Sequence, residues 1–140
     1  MGQQMTESDW RALEELLTDF AWHADRGDGD ALGALFQPEA TLEVGGQKHQ
    51  GRTEISADCY RRASDPTRKV RHIWSNLRLL KADSNHVRTA AVQMTFEQSA
   101  KSEGTQVRVN DLLDVFVRAE DGRWRFAERT ISRAMALAVG

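Results

Sequence analysis

The order of the predicted elements indicates an α+β fold. Apolar residues recur at helical spacing in the first part of the chain, and segments that suit β-strands, separated by short turns, make up the second half. Helices that precede a run of strands favour a bent, mainly antiparallel sheet with helices covering one face. No repeat or linker interrupts the 140 residues, of which 40% are hydrophobic, so the sequence predicts a single domain over residues 1–140.

The first helix is predicted from one apolar stripe. Its members recur every three or four residues from Asp9 to the sequence "DRGDGD", a spacing that predicts a helix of about four to five turns. Ser8 or Asp9 is expected to cap its start, and residues 1–8 are expected to be flexible. The glycines of "DRGDGD" are expected to end it. The stripe consists of Trp10, Leu13, Leu17, Phe20 and Ala24.

Two shorter helices and a hairpin follow. Asp28 or Asp30 is expected to cap a helix over "DALGALF", which Pro38 stops. The strands "ATLEV" and "QKHQG" flank two glycines, a pattern typical of a hairpin. A third helix is predicted over "TEISADCYRRA", with Thr53 as its cap.

Four long strands are predicted after the third helix. Turn motifs such as "DSN", "KSEG" and "EDG" separate these segments, which exceed the usual strand length of about five or six residues. Long, twisted antiparallel strands joined by hairpins are therefore expected, and the predicted order is α-α-β-β-α-β-β-β-β. The strands cover residues 70–82, 86–100, 105–119 and 123–136.

Composition and charge exclude several classes of protein. The formal net charge is -2, with acidic and basic residues interspersed and no basic stripe, so nucleic acid is not an expected partner. No apolar run approaches the roughly 20 residues that span a bilayer, so no membrane association is expected. The single cysteine, Cys59, cannot form an intramolecular disulfide, and no secretion signal opens the chain, which predicts a cytoplasmic protein.

The sequence contains no motif for a metal or a cofactor. His23, His49 and His86 have no partner at metal-ligand spacing, and Cys59 lies in a predicted helix. The chain has neither a glycine-rich phosphate loop nor a nucleophile elbow. We therefore expect no metal and no cofactor.

The sequence "VRHIWSN" places a histidine within a predicted strand. Alternation puts Val70, His72, Trp74 and Asn76 on one face, which is apolar apart from two polar groups. His72 is either a hydrogen-bonded core residue or a proton-transfer group at the floor of a pocket. The choice depends on whether another segment supplies a partner for the imidazole.

Three segments match one known family in order and spacing. They are "FAWHADRGDGDALGALFQPEATLEV", "RHIWSN" and "DVFVRAEDGRWRFAER". Over nearly its whole length the chain resembles the SnoaL-like family of the nuclear-transport-factor-2-like superfamily. The resemblance implies a cone-shaped α+β barrel, in which a curved sheet wraps over the long first helix and encloses a deep apolar pocket. It also implies homo-oligomers, either trimers or dimers.

The resemblance further implies a site built from distant segments. In the dehydratase-like and dehydrochlorinase-like members, an aspartate at the end of the first helix pairs with a histidine after the third helix. The matching residues are Asp25 and His72. A carboxylate on one ring nitrogen leaves the other nitrogen as a base and stabilises the imidazolium that forms. The implied activity is that of a cofactor-independent lyase, most simply a dehydratase, for a small apolar cyclic or polyketide-like molecule.

Further residues are expected to contact the substrate. Asn76 would orient His72 or donate a hydrogen bond to a developing oxyanion. Arg129 matches an arginine that binds the leaving group or the oxyanion in dehydrochlorinase-like members. Phe20 stands where several relatives have a tyrosine or lysine that acts as a general acid or electrophile, so that group is missing. The expected pocket walls are Phe20, Trp22, Trp74, Met94 and Leu113.

Other interpretations remain open at this stage. Asp25 would otherwise form a helix-terminal turn, Asn76 a satisfied core amide, and Arg129 a cross-strand ion pair at the surface. An isomerase-like or cyclase-like enzyme is disfavoured, because Val44 occupies the place of the isomerase base and Glu43 would point to the opposite face. A non-catalytic ligand-binding domain of the same fold is the third interpretation, and the missing hydroxyl on the first helix is consistent with it.

Overall fold

The computed structural model describes residues 5–140. The first helix, α1 (Glu7–Arg26), starts earlier than predicted. Thr6 is the cap, not Ser8 or Asp9, because its side chain accepts the N–H of Asp9 at 3.0 Å while the Asp9 carboxylate accepts the N–H of Thr6 at 3.1 Å. Residues 6–8, predicted to be flexible, therefore belong to a capped first turn. Met5 precedes the cap without regular structure, and residues 1–4 lie outside the described residues.

The two short helices are α2 (Gly29–Gly33) and α3 (Arg52–Arg62). Asp28 caps α2 as predicted, since its carboxylate accepts the N–H of Ala31 at 3.1 Å. The prediction that Thr53 caps α3 is wrong. Gly51 precedes the helix with a φ of 88°, a left-handed value that favours glycine, and its carbonyl accepts the N–H of Ile55.

Six strands form one curved, open sheet in the order β2-β1-β6-β5-β4-β3. All neighbouring pairs are antiparallel except β1 and β6, which are parallel. The predicted α+β fold and order of elements are confirmed, and β1 begins at Phe36, which was predicted to be helical. The strands are β1 (Phe36–Val44), β2 (Gln47–Gln50), β3 (Lys69–Asp83), β4 (His86–Ser99), β5 (Ser102–Arg118) and β6 (Trp124–Val139).

The hydrophobic core fills one end of the space between α1 and the concave face of the sheet. Leu13 and Leu17 of α1 are buried there. Phe36 and Phe126 stack with their ring centroids 4.8 Å apart, and Phe20 meets Phe126 edge to face at 6.1 Å. Because large rings fill this end, the space for a cavity lies further along the sheet, near Asn110 of β5 and Ile131 of β6.

Candidate active site

A cavity of about 640 Å³ lies between α1, α3 and the concave face of the sheet. This volume is in the range of sites that enclose small organic molecules. One side of the cavity is apolar and is formed largely by Phe20, Leu32, Leu42, Val44, Ile55 and Ile131. The opposite side is polar, whereas the predicted pocket was apolar. It includes His72, Gln93, Thr95, Glu97, Arg108 and Asn110.

Asp25 and His72 meet at the edge of this cavity. The Nδ1 atom of His72 lies 2.6 Å from Oδ1 of Asp25, and the side chains are 14% and 6% exposed respectively. The backbone N–H of His72 also donates to the carboxylate, at 3.0 Å to Oδ1 and 3.3 Å to Oδ2. A carboxylate at Nδ1 favours the tautomer with its proton on that atom, which leaves Nε2 with a free lone pair. His72 lines the cavity, so this lone pair is available to a ligand.

A second contact fixes α1 against β3. The Nε1–H of Trp74 donates to Oγ1 of Thr18 at 3.0 Å. Thr18 precedes Asp25 by about two helical turns, and Trp74 follows His72 by two strand residues, so both contacts join the same helix face to the same strand face. Trp74 therefore positions the helix that carries Asp25 and packs against the core, whereas it was predicted to be a pocket wall.

The polar floor of the cavity consists of two rows across the sheet. In one row His72 lies opposite Thr95 on β4, which lies opposite Arg108 on β5. In the other, Gln93 of β4 lies opposite Asn110 of β5, which lies opposite Arg133 of β6. Residues opposite one another in antiparallel strands point to the same face, about 5 Å apart at Cβ. The Nδ2–H of Asn110 donates to Oε1 of Gln93 at 3.3 Å, and both side chains are buried.

Two residues of β4 and β5 lie on the face opposite to the predicted one. Met94 and Leu113 were predicted to be pocket walls, but they are 37% and 53% exposed and lie on the convex face. Along β4 the inward positions are polar, at Gln93 and Thr95, and the outward position between them is apolar. The prediction failed because it assumed that apolar side chains point inward. Around Met94 on β4 the sequence alternates strictly between apolar and polar residues, but alternation alone does not say which face is concave.

Asn76 and Trp22 also lie away from the cavity. Asn76 is exposed and has a φ of 58°, because the pairing of β3 with β4 shifts register between Ser75 and Arg78. This irregularity breaks the alternation that was expected to place Asn76 beside His72. Trp22 is 55% exposed on α1, with the guanidinium of Arg26 over its ring.

Arg129 is part of the core, neither a surface residue nor one that lines the cavity. Its Nε lies 3.4 Å from Oδ1 of Asp114, its cross-strand partner, and the two side chains are 1% and 0% exposed. The guanidinium lies over the ring of Phe20, 4.2 Å from its centroid. Burial raises the pKa of Asp114 to about 6, although the charge of Arg129 acts in the opposite direction. Phe20 lines the cavity, so Arg129 supports a cavity wall from behind.

Arginine partners lower the pKa values of two carboxylates that line the cavity, Glu97 and Asp58. Burial alone would raise the pKa of Glu97, but hydrogen bonds from Arg108 and Arg68 outweigh it and lower the pKa. The same balance lowers the pKa of Asp58, where Arg62 is the main partner. Arg68 contacts Glu97 at 2.9 Å and Arg62 contacts Asp58 at 2.8 Å.

Other chemically active groups do not form a second site. Burial raises the pKa of the Cys59 thiol to about 11, so this cavity residue is a neutral thiol near pH 7. Within residues 5–140, no cluster of three or more histidine, cysteine, aspartate or glutamate side chains is arranged to hold a metal ion. None of the helices in the same part of the chain is long and apolar enough to cross a membrane.

A curved sheet over a long helix, with a histidine–aspartate pair at an internal cavity, defines a small α+β domain of the nuclear-transport-factor-2-like class. The model of the SnoaL-like domain family matches residues 6–130. The chain therefore belongs to the SnoaL-like family, and the resemblance found in the sequence is confirmed. No curated protein is similar enough in sequence to count as a match.

Solved structures of low sequence identity share the fold. A candidate scytalone dehydratase from Novosphingobium aromaticivorans is 19% identical, with 95% of this chain and 89% of the other aligned and a TM-score of 0.84. A hexachlorocyclohexane dehydrochlorinase (LinA) type 2 is 16% identical over 95% and 90%, with a TM-score of 0.83. A single-substitution variant of a protein of unknown function from Mycobacterium tuberculosis is 16% identical over 91% and 77%, with a TM-score of 0.81. At such identities the likeness shows the fold alone.

Proposed function

We propose that this protein is a small cofactor-independent lyase, most simply a dehydratase, in which His72 is the base and Asp25 its orienting partner. The observation that carries the proposal is the 2.6 Å contact between Nδ1 of His72 and Oδ1 of Asp25 at the edge of the cavity. The substrate is a small cyclic or polyketide-like molecule whose ring packs on the apolar side. Family membership supports a small-molecule enzyme, and the choice of reaction rests on this pair.

The proposed step is an elimination next to a carbonyl group. Nε2 of His72 takes a proton from the carbon next to the carbonyl, and the electron pair of that C–H bond moves toward the carbonyl oxygen to form an enolate. The enolate pair then forms the carbon–carbon double bond as the carbonyl is restored and the C–O bond to the leaving hydroxyl breaks. Asp25 stabilises the imidazolium that forms. The imidazolium then returns its proton to the departing hydroxide, so the products are an unsaturated carbonyl compound and water. One group serves as base and acid, which suits a site where Phe20 supplies no hydroxyl.

Charge that develops on the carbonyl oxygen needs a hydrogen-bond donor. Gln93 and Asn110 present buried side-chain amides at the cavity floor, and the one contact between them uses a single N–H of Asn110. These amides therefore take the role that was predicted for Asn76. A positioned donor at such a place contributes about 100-fold or more to the rate in enzymes that stabilise oxyanions.

An isomerase-like mechanism has less support. Val44 lines the cavity at the position where the resemblance would put the isomerase carboxylate. The two carboxylates that line the cavity, Asp58 and Glu97, are held by arginines and have lowered pKa values, which makes them weak bases. A non-catalytic binding domain stays as the alternative, with the same cavity and no turnover.

Proton abstraction can be tested before the natural substrate is known. Wild-type protein is incubated in D₂O with a panel of cyclic β-hydroxyketones, and NMR follows the loss of the C–H signal next to the carbonyl. We expect exchange or elimination by the wild type and a loss of about 100-fold or more in His72→Ala. His86→Ala, which changes an exposed histidine at the start of β4, should match the wild type. Equal rates in His72→Ala and wild type would exclude His72 as the base, and binding without exchange would favour the binding domain.

We also propose that the protein forms homo-oligomers through the convex face of the sheet. Ile73, Met94, Val109 and Met135 lie opposite one another on four strands and make an apolar row across this face. Three of them are exposed, at 55%, 37% and 59% for Ile73, Met94 and Met135. An apolar row of this kind supports association with a second copy.

A further inference from the structure

Positive charge exceeds negative charge on the polar side of the cavity. Four arginines line it, Arg62, Arg68, Arg108 and Arg133, against two carboxylates, Asp58 and Glu97. Asp58 forms ion pairs with Arg61 and Arg62, so it does not neutralise the other three arginines of the lining. Among residues 5–140, Glu97 is the only carboxylate of the lining that neutralises Arg68 and Arg108. The surplus therefore comes from Arg68 just before β3, Arg108 on β5 and Arg133 on β6.

Arg68 and Arg108 share one carboxylate and keep unused donors. Nε of Arg68 binds Oε2 of Glu97, and Nη2 of Arg108 binds Oε1. A guanidinium has five N–H groups, so each arginine uses only part of its set in these contacts. Their side chains are 14% and 23% exposed, so the remaining donors are partly shielded from bulk water. Two guanidiniums fixed in this way form a preorganised site for a further oxyanion.

Arg133 adds a third guanidinium next to this pair. It lies opposite Asn110 on the inner face of β6, and Arg108 is two residues from Asn110 on β5. The register of β5 and β6 shifts between Val109 and Asn110, so the regular spacing of diagonal neighbours does not apply here. Arg108 and Arg133 both line the cavity, so one anion bound in it is accessible to both guanidiniums. Arg133 lines the cavity, and no carboxylate among residues 5–140 forms an ion pair with it.

We propose that Arg133, together with Arg108 and Arg68, binds a carboxylate group of the substrate. This inference rests on the proposed function, which places the reaction at His72. It narrows the substrate class to small cyclic carboxylic acids. The row from His72 through Thr95 to Arg108 spans two strand spacings, about 10 Å. An arginine side chain is long enough to cover part of that span, so a ligand that contacts both His72 and Arg108 has about one ring between its reacting carbon and its carboxylate. The ring itself packs against the apolar side.

The test compares an acid with its neutral isostere. Binding of 1-naphthoate and 1-naphthamide to the wild type is measured by calorimetry at low ionic strength. We expect the naphthoate to bind at least about tenfold more tightly, because charge-assisted hydrogen bonds are the stronger kind. Arg133→Gln should remove most of that preference and leave the affinity for the naphthamide unchanged. Arg88→Gln, which removes an exposed arginine from the convex side of β4, is the matched control and should keep the preference.

The outcomes separate this inference from the proposed reaction. Naphthoate binding that depends on Arg133 and persists in His72→Ala supports the carboxylate site, even if no ketone of the exchange panel reacts. Equal affinity of the wild type for acid and amide, no binding of either, or an unchanged preference in Arg133→Gln overturns it. Those results would leave the role of His72 untouched, since proton abstraction is measured independently.

Discussion

Asp25 holds His72 at two points, through the ring nitrogen Nδ1 at 2.6 Å and through the backbone N–H at 3.0 Å. The backbone contact fixes the place of the strand against the end of α1, and the ring contact fixes the tautomer. Because the two contacts reach one carboxylate, the orientation of the imidazole is coupled to the docking of the helix. Their contributions can be separated by substitution at Asp25.

Asp25→Asn should abolish most of the activity while preserving the fold. The amide oxygen can still accept the backbone N–H of His72, but an amide does not stabilise an imidazolium, and it can favour the wrong tautomer. We expect a loss of about 100- to 10,000-fold in the exchange rate with a small change in melting temperature. Asp25→Ala removes both contacts and should lower the melting temperature as well. A large loss of stability in Asp25→Asn with its rate retained would assign the pair a structural role.

The sequence predicts the order of elements because periodicity and turn residues are local signals. The starts of helices are predicted less accurately, because the caps at Thr6 and Gly51 lie two or three residues before the predicted ones. The pair Asp25 and His72 was found by resemblance, as they are 47 residues apart and no local pattern joins them.

The polar floor could not be predicted in the same way. Gln93, Asn110 and Arg133 become neighbours only through the registers of three strands, and register depends on which face is buried. The position of Asn76 depends on an irregular pairing that leaves no clear mark in the sequence.

The buried pair of Asp114 and Arg129 should behave as a unit in stability measurements. Removing either partner leaves a buried, unpaired charge, which costs about 3 to 5 kcal/mol at pH 7. We expect Arg129→Met to lose stability of this order in urea unfolding. Asp114→Leu combined with Arg129→Met should be close to the wild type, because apolar side chains of similar volume replace the pair. A double variant as unstable as the single one would mean that the pair supplies specific contacts that packing cannot replace.

The same pair predicts a dependence of stability on pH. Burial raises the pKa of Asp114 from 3.8 to about 6, so the folded state holds this proton up to a higher pH than the unfolded state does. The contribution of Asp114 to the free energy of unfolding therefore falls as the pH rises from about 4 to about 6, by up to about 3 kcal/mol. Glu97 and Asp58, whose pKa values are lowered, act in the opposite direction and lose their contribution as the pH falls.

The contribution of Asp114 is isolated by subtraction. Urea unfolding of the wild type and of the double variant Asp114→Leu/Arg129→Met is measured at several values between pH 4 and pH 7. The difference, wild type minus variant, should decrease with rising pH and level off above about pH 6. A difference that stays flat would show that Asp114 keeps the same ionisation in the folded and unfolded states.

Self-association should depend on the apolar row of the convex face. Met94 lies near the middle of that row, between Ile73 and Val109. Met94→Glu places a charge in the proposed contact, and an unpaired charge at the centre of an interface is costly to desolvate. We expect sedimentation velocity at micromolar concentration to show an oligomer for the wild type and a shift toward monomer for Met94→Glu.

A control must separate this effect from a general change in surface polarity. Trp22 is an exposed apolar residue on α1, outside the convex face, so Trp22→Gln should leave the sedimentation of the oligomer unchanged. Because Met94 points away from the cavity, Met94→Glu should also retain the affinity for 1-naphthoate. Sedimentation of the wild type as a monomer would reject the proposed association. An oligomer that tolerates Met94→Glu would place the contact elsewhere, for which the exposed apolar residues Leu137 and Val139 of β6 are the next positions to substitute.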